Sequence, residues 1–166
     1  MIDVSNNFKL NETDSNIAAH ILKYNNTPKA ITEFSELSRN LSDYGYWFIL
    51  STLWVSYSLF SDLNLWRRLF RSGRPRRISS LMKPSELEAF NRLPDKFIAF
   101  RAHRANENDW ISYTLDIEVA KRFAKERNTE VAPYELSKKH CIALFLRRDE
   151  LEVIMLDPKK AKKDPN

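Results

Sequence analysis

The stretch Glu150-Leu151-Glu152-Val153-Ile154-Met155-Leu156, closed by Asp157-Pro158, decides the reading of this chain. An unbroken apolar run bounded by charges and a proline predicts a short buried strand over Leu151–Leu156. Side chains alternate along a strand, so Glu150 and Glu152 are expected on one face of it. Two carboxylates that share a pocket repel, which raises the pKa of one of them. Working outward, His140-Cys141-Ile142-Ala143-Leu144-Phe145-Leu146 supplies a second strand, over Cys141–Leu146. Phe97-Ile98-Ala99-Phe100-Arg101 supplies a third, ending in an arginine, and Ile111-Ser112-Tyr113-Thr114 opens another. Asp116 to Arg127 has helical spacing, with Ile117, Ala120, Phe123 and Ala124 on one face.

The N-terminal half reads differently. Residues 1–40 are polar and helical in part. Thr27 followed by Pro28 is a helix start, and Ile31, Phe34, Leu37 and Leu41 follow at helical spacing. Residues 44–60 are the most apolar segment. They are too short and too rich in serine for a bilayer span of about 20 residues, so a covered core helix is expected, with a partner-binding surface as the other reading. Residues 67–77 carry six arginines around Gly73 and Pro75 and read as a basic loop. Ser85 with Glu88 predicts a capping box on a short helix that Pro94 ends. The expected organisation is α+β, with a helical region and basic loop over 1–80, a mixed β domain over 81–158 and a frayed lysine-rich tail over 159–166.

Composition narrows the function. Only 2 of 166 residues are glycine, and no Gly-x-Gly-x-x-Gly or Walker loop occurs, which argues against an ordinary dinucleotide fold. The single cysteine, Cys141, lies in an apolar run and reads as a buried structural thiol. His20, His103 and His140 lack metal-ligand spacing, so no metal is expected. A net charge of +5 steers anionic partners without specifying nucleic acid. With no secretory pattern at Met1-Ile2-Asp3, the expected compartment is the cytoplasm, with no membrane partner.

Arg101, then Ser112-Tyr113-Thr114 with a downstream Ala120-x-x-Phe123-Ala124 helix, then Glu150-Leu151-Glu152-Val153, resemble the ADP-ribosyltransferase family. The resemblance is to the class marked by an arginine, a Ser-x-Ser strand and a Glu-x-Glu strand, and it covers roughly residues 84–158. The chain differs in having Ala102 where members often have glycine, Thr114 as the third residue of the hydroxyl motif, and a short segment between Arg101 and Ser112.

The resemblance implies an ADP-ribosyltransferase-like mixed β core with an N-terminal helical extension, and NAD as substrate. It implies mono-ADP-ribosyl transfer to a protein side chain, an arginine, with release of nicotinamide. Arg101 would bind the phosphates, Ser112 would orient Glu152, and Glu152 would hold the ribose and stabilise its developing positive charge. Thr114 would support the strand or the nicotinamide pocket. Tyr113 and Phe123 would line that pocket or pack the core. Glu150 would face the acceptor, and the turn at Arg147, Arg148 and Asp149 would recognise the target. Such an enzyme fits a toxin or phage effector acting on a host or defence protein. The alternative is a catalytically inactive module that binds a protein or RNA through the arginine-rich loop.

Overall fold

The computed structural model describes residues 2–164, and the chain divides into two compact units, Met1–Ser85 and Glu86–Asn166. The division falls a few residues beyond the expected boundary at 80/81.

The first unit is helical: α1 (Glu12–Leu22), α2 (Pro28–Leu37), α3 (Asp43–Val55), α4 (Leu63–Phe70) and α5 (Arg77–Leu81). α3 is the core helix expected of the apolar segment, with Trp47 and Leu50 fully buried and Leu53 nearly so. It ends at Val55, and no helix among the described residues is long and apolar enough to cross a membrane. Its start is tied down from α1. Asp14 accepts hydrogen bonds from the Ser42 amide (2.8 Å) and hydroxyl, and Ser42 Oγ accepts from the Gly45 amide at 3.0 Å. A Cβ on Gly45 would lie 2.3 Å from Asp14 Oδ2, so this helical glycine makes room for a cap.

Two expectations about this half need correction. The basic stretch is not one loop. Trp66, Leu69 and Phe70 bury one face of α4, so residues 67–70 are helical and only Arg71–Arg76 connects α4 to α5. The capping box at Ser85 does not form. Ser85 donates through its amide (2.9 Å) and hydroxyl to Asp3, while Glu88 pairs with Arg92 one helical turn on. α6 (Pro84–Asn91) therefore starts two residues before the position that a Ser85 cap would set, and takes its cap from the N-terminal segment.

The second unit is built on a six-stranded antiparallel sheet: β1 (Lys96–Ala102), β2 (Ser112–Thr114), β3 (Val131–Ser137), β4 (Cys141–Phe145), β5 (Glu152–Met155) and β6 (Lys162–Lys163), in the order β4-β5-β2-β1-β3-β6. Every residue of β4 is buried, and Val153, Ile154 and Met155 of β5 are fully so, which is why both strands read as continuous apolar runs. α7 (Ile117–Arg127) is capped by Asp116, whose side chain accepts from the Glu118 amide. It buries Val119, Ala120 and Ala124, while Ile117, expected on the inner face, is exposed.

β3 carries Pro133, and the ladder places it opposite Phe100. The Pro133 carbonyl accepts from the Asp164 amide, so its missing N–H falls on the β6 side and costs the β1–β3 ladder nothing. The tail expected to fray instead turns through a short 3-10 segment (Pro158–Lys160) and pairs as β6 with Tyr134 and Glu135. The last two residues of the expected tail, 165–166, lie outside the described residues.

Candidate active site

β2 and β5 bring Ser112 and Glu152 together. Their register is Ser112↔Ile154, Tyr113↔Val153 and Thr114↔Glu152, so Ser112 is the diagonal neighbour of Glu152 on one sheet face. Ser112 Oγ donates to Glu152 Oε2 at 2.5 Å. Thr114, on the same face, donates its hydroxyl to the Glu150 carbonyl and accepts from the Asp116 amide at 3.0 Å, closing the end of the strand.

Backbone polarity then explains where Arg101 goes. The Ile111 carbonyl and Leu115 amide bond toward β5, so the Ser112 carbonyl faces β1. β1 and β2 meet at Phe100↔Thr114, and beyond that pair the Ser112 carbonyl accepts from Arg101 Nη1 at 2.9 Å. Arg101 thus bonds the backbone of Ser112, and Glu152 bonds its side chain. Because Phe100 pairs with Thr114, alternation sends the Arg101 side chain to the face that carries Tyr113, opposite the Ser112 and Glu152 side chains. Tyr113 points to the face opposite Ser112, where its ring meets Tyr134 edge-on at 5.7 Å. Burial pushes its hydroxyl pKa well above the usual range. Phe123 on α7 is half-buried, with the Arg127 guanidinium over its ring at 4.8 Å.

The two glutamates of the Glu-x-Glu motif do not share a strand face, contrary to the sequence expectation. β5 begins only at Glu152, and Asp149 and Leu151 have positive φ, 53° and 43°. Left-handed backbone at both positions breaks the alternation that would have set the carboxylates side by side. Glu150 instead turns to Arg148 (3.0 Å) and Arg122 (3.8 Å). The turn that carries it is anchored by a residue the sequence did not single out. Glu86, fully buried on α6, accepts from the Leu146 amide at 2.7 Å and from Arg147 Nε and Nη2 at 3.2 and 2.9 Å.

The sequence also missed Glu107. Asn106 takes a left-handed conformation (φ 59°) and the Glu107 amide bonds the Arg104 carbonyl, so the chain doubles back on Arg101. Glu107 then holds Arg101 in a fork, through Nε at 2.8 Å and through Nη2, with both side chains about 10% exposed. Its second oxygen also meets His103 Nδ1 at 2.5 Å, and His103 Nε2 reaches the Tyr134 hydroxyl at 2.6 Å. Burial raises the Glu107 carboxyl, but hydrogen bonds and charge from His103 and Arg101 outweigh it and hold the group at about 2. The Asn106 turn and the His103-x-x-x-Glu107 spacing were the available signals, and both are common in surface loops.

Elsewhere, two arginines of the basic stretch serve the fold of the first unit. Arg74 donates to the Leu41 and Ser38 carbonyls at 2.8 and 2.7 Å and lies over the Tyr46 ring, and Arg77 donates to the Phe70 carbonyl at 3.1 Å. Comparison of the chain with models of known protein families, with curated protein sequences and with solved structures found no match.

Proposed function

We propose that the C-terminal unit is a mono-ADP-ribosyltransferase that uses NAD as substrate and modifies a protein side chain. The observation that carries the reading is the 2.5 Å hydrogen bond from Ser112 to Glu152, with Arg101 bonded to the backbone of the same serine. Cleavage of the bond between ribose and nicotinamide builds positive charge on the sugar, and a carboxylate fixed before the reaction stabilises it without reorganising. Glu152 is such a group, and the Ser112 hydroxyl helps to fix its orientation. A guanidinium suits phosphate oxygens, and Arg101 stands at the end of the adjacent strand. In this reading the acceptor nucleophile bonds to the anomeric carbon as nicotinamide leaves with the bonding electrons, and the acceptor's proton passes to a nearby base. Glu150 is the candidate base, and it must first be released from Arg148 and Arg122.

The competing reading, RNA or protein binding through the arginine-rich stretch, draws less support because Arg74 and Arg77 donate to backbone carbonyls. The proposal is tested by incubating labelled NAD and cell lysate with wild type and Glu152→Gln. The variant keeps the fold and is expected to lose about two to four orders of magnitude in transfer. Equal labelling by both proteins refutes the assignment.

A further inference from the structure

Glu107 is the meeting point of two guanidiniums and an imidazole. Its Oε1 meets Arg101 Nη2 and lies 3.5 Å from Arg104 Nη1, while its Oε2 meets Arg101 Nε and His103 Nδ1. A third guanidinium is attached to the same strand end, because Arg127 Nη1 donates to the Ala102 carbonyl. Burial and the charges of Arg104 and Arg101 push the Arg127 guanidinium down to about 10, an effect that Glu107 and Glu126 only partly offset. Two guanidiniums and an imidazole therefore meet the Glu107 carboxylate at the end of β1, within reach of the Arg127 charge. That carboxylate presents two oxygens to a fork, as a phosphate does.

We propose that Arg101, Arg104 and Arg127 form a binding site for a diphosphate group, and that Glu107 fills this site from within the chain, so that a diphosphate binds by displacing the Glu107 carboxylate. A group carrying two adjacent anionic phosphates matches this charge better than a single carboxylate. Exchange of one anion for another leaves Arg101 partnered in both states, so no buried cation is stranded. The site rests on the transferase reading only in naming NAD as the natural source of the diphosphate. The internal carboxylate lowers apparent affinity by the fraction of molecules in which it is bound.

Inorganic pyrophosphate titrated calorimetrically into the full chain tests this. Glu107→Gln is expected to bind pyrophosphate roughly tenfold more tightly than wild type, because the internal competitor is gone. If Glu107 merely orients Arg101, the same variant binds more weakly or unchanged, and the proposal is overturned. Arg104→Met and Arg127→Met leave the Glu107–Arg101 fork intact and carry the test even if Glu107→Gln does not fold. Each is expected to weaken pyrophosphate binding about tenfold or more, and wild-type affinity in both overturns the site. NAD titrated into the same proteins separates the two readings. Pyrophosphate binding that tightens in Glu107→Gln, with no NAD binding in any protein, supports the diphosphate site and removes the transferase reading. NAD binding that ignores residues 104, 107 and 127 overturns the site and leaves the transferase reading in place.

Discussion

Replacing Glu86 with glutamine tests how the turn before Glu152 is held. The carboxylate is fully buried and accepts hydrogen bonds from the Leu146 amide and from Nε and Nη2 of Arg147, whose side chain is only 12% exposed. Glutamine has nearly the same shape, but it offers one acceptor oxygen and an amide that faces the guanidinium donor to donor. If its oxygen stays with Leu146, Arg147 loses the Glu86 charge while remaining largely buried. Breaking a buried pair in this way costs about 3–5 kcal/mol.

Removing both charges, as Glu86→Leu with Arg147→Met, leaves neither charge of the pair behind and strands the Leu146 amide, a cost of about 1–3 kcal/mol. The double variant is therefore expected to be more stable than Glu86→Gln. Urea unfolding followed by circular dichroism gives the global cost, and hydrogen exchange at the Leu146 amide gives the local one. With a slope of about 2 kcal/mol per molar urea, the single variant's midpoint falls by about 1.5 M or more. A cost below about 1 kcal/mol for Glu86→Gln, or a double variant no more stable than the single, refutes the argument.

Three further outcomes follow from the structure. Burial pushes the Cys141 thiol up to about 12, so native protein at pH 8 should resist alkylation by iodoacetamide until denatured, and rapid modification of folded protein contradicts the assigned environment. Glu107 is held at about 2 in the folded chain against an ordinary 4.5, so its contribution to stability is complete above about 4.5 and is lost as pH falls toward 2. Acid titration of wild type against Glu107→Gln should show the two stability curves converging across that window, and parallel curves rule it out. Gly45→Ala gains helix propensity but drives a methyl into Asp14, so a net loss of about 1 kcal/mol in thermal or urea stability is expected, and a stabilised variant excludes the cap as described.

Most secondary structure was legible because it follows from local pattern. The helical spacing of Ala120, Phe123 and Ala124 and the apolar runs of β4 and β5 each point to one structure. β3 was hidden because Pro133 and Glu135 interrupt its pattern, and its partner β6 consists of two exposed lysines that look like a solvated tail. The Ser112–Glu152 contact was foreseen only as an implication of the resemblance to ADP-ribosyltransferases. The geometry of Glu150 was not, because strand alternation was extended over residues whose backbone leaves the strand region. Glu86 and Glu107 act through long-range or turn-mediated contacts, and neither leaves a periodic trace in sequence.

Every non-glycine residue of positive φ among the described residues carries a Cβ at a place where chains often use glycine: Asn26, Asp62, Arg76, Asn106, Asn128, Asp149 and Leu151. Asparagine and aspartate tolerate this backbone through local hydrogen bonds, whereas Arg76 and Leu151 bear its full steric cost of about 1–2 kcal/mol. A reversal built this way has few alternative dihedral wells to visit. Rearrangement beside Arg101 would then run through rotamer changes of long side chains, such as Glu107, more readily than through a swinging peptide hinge.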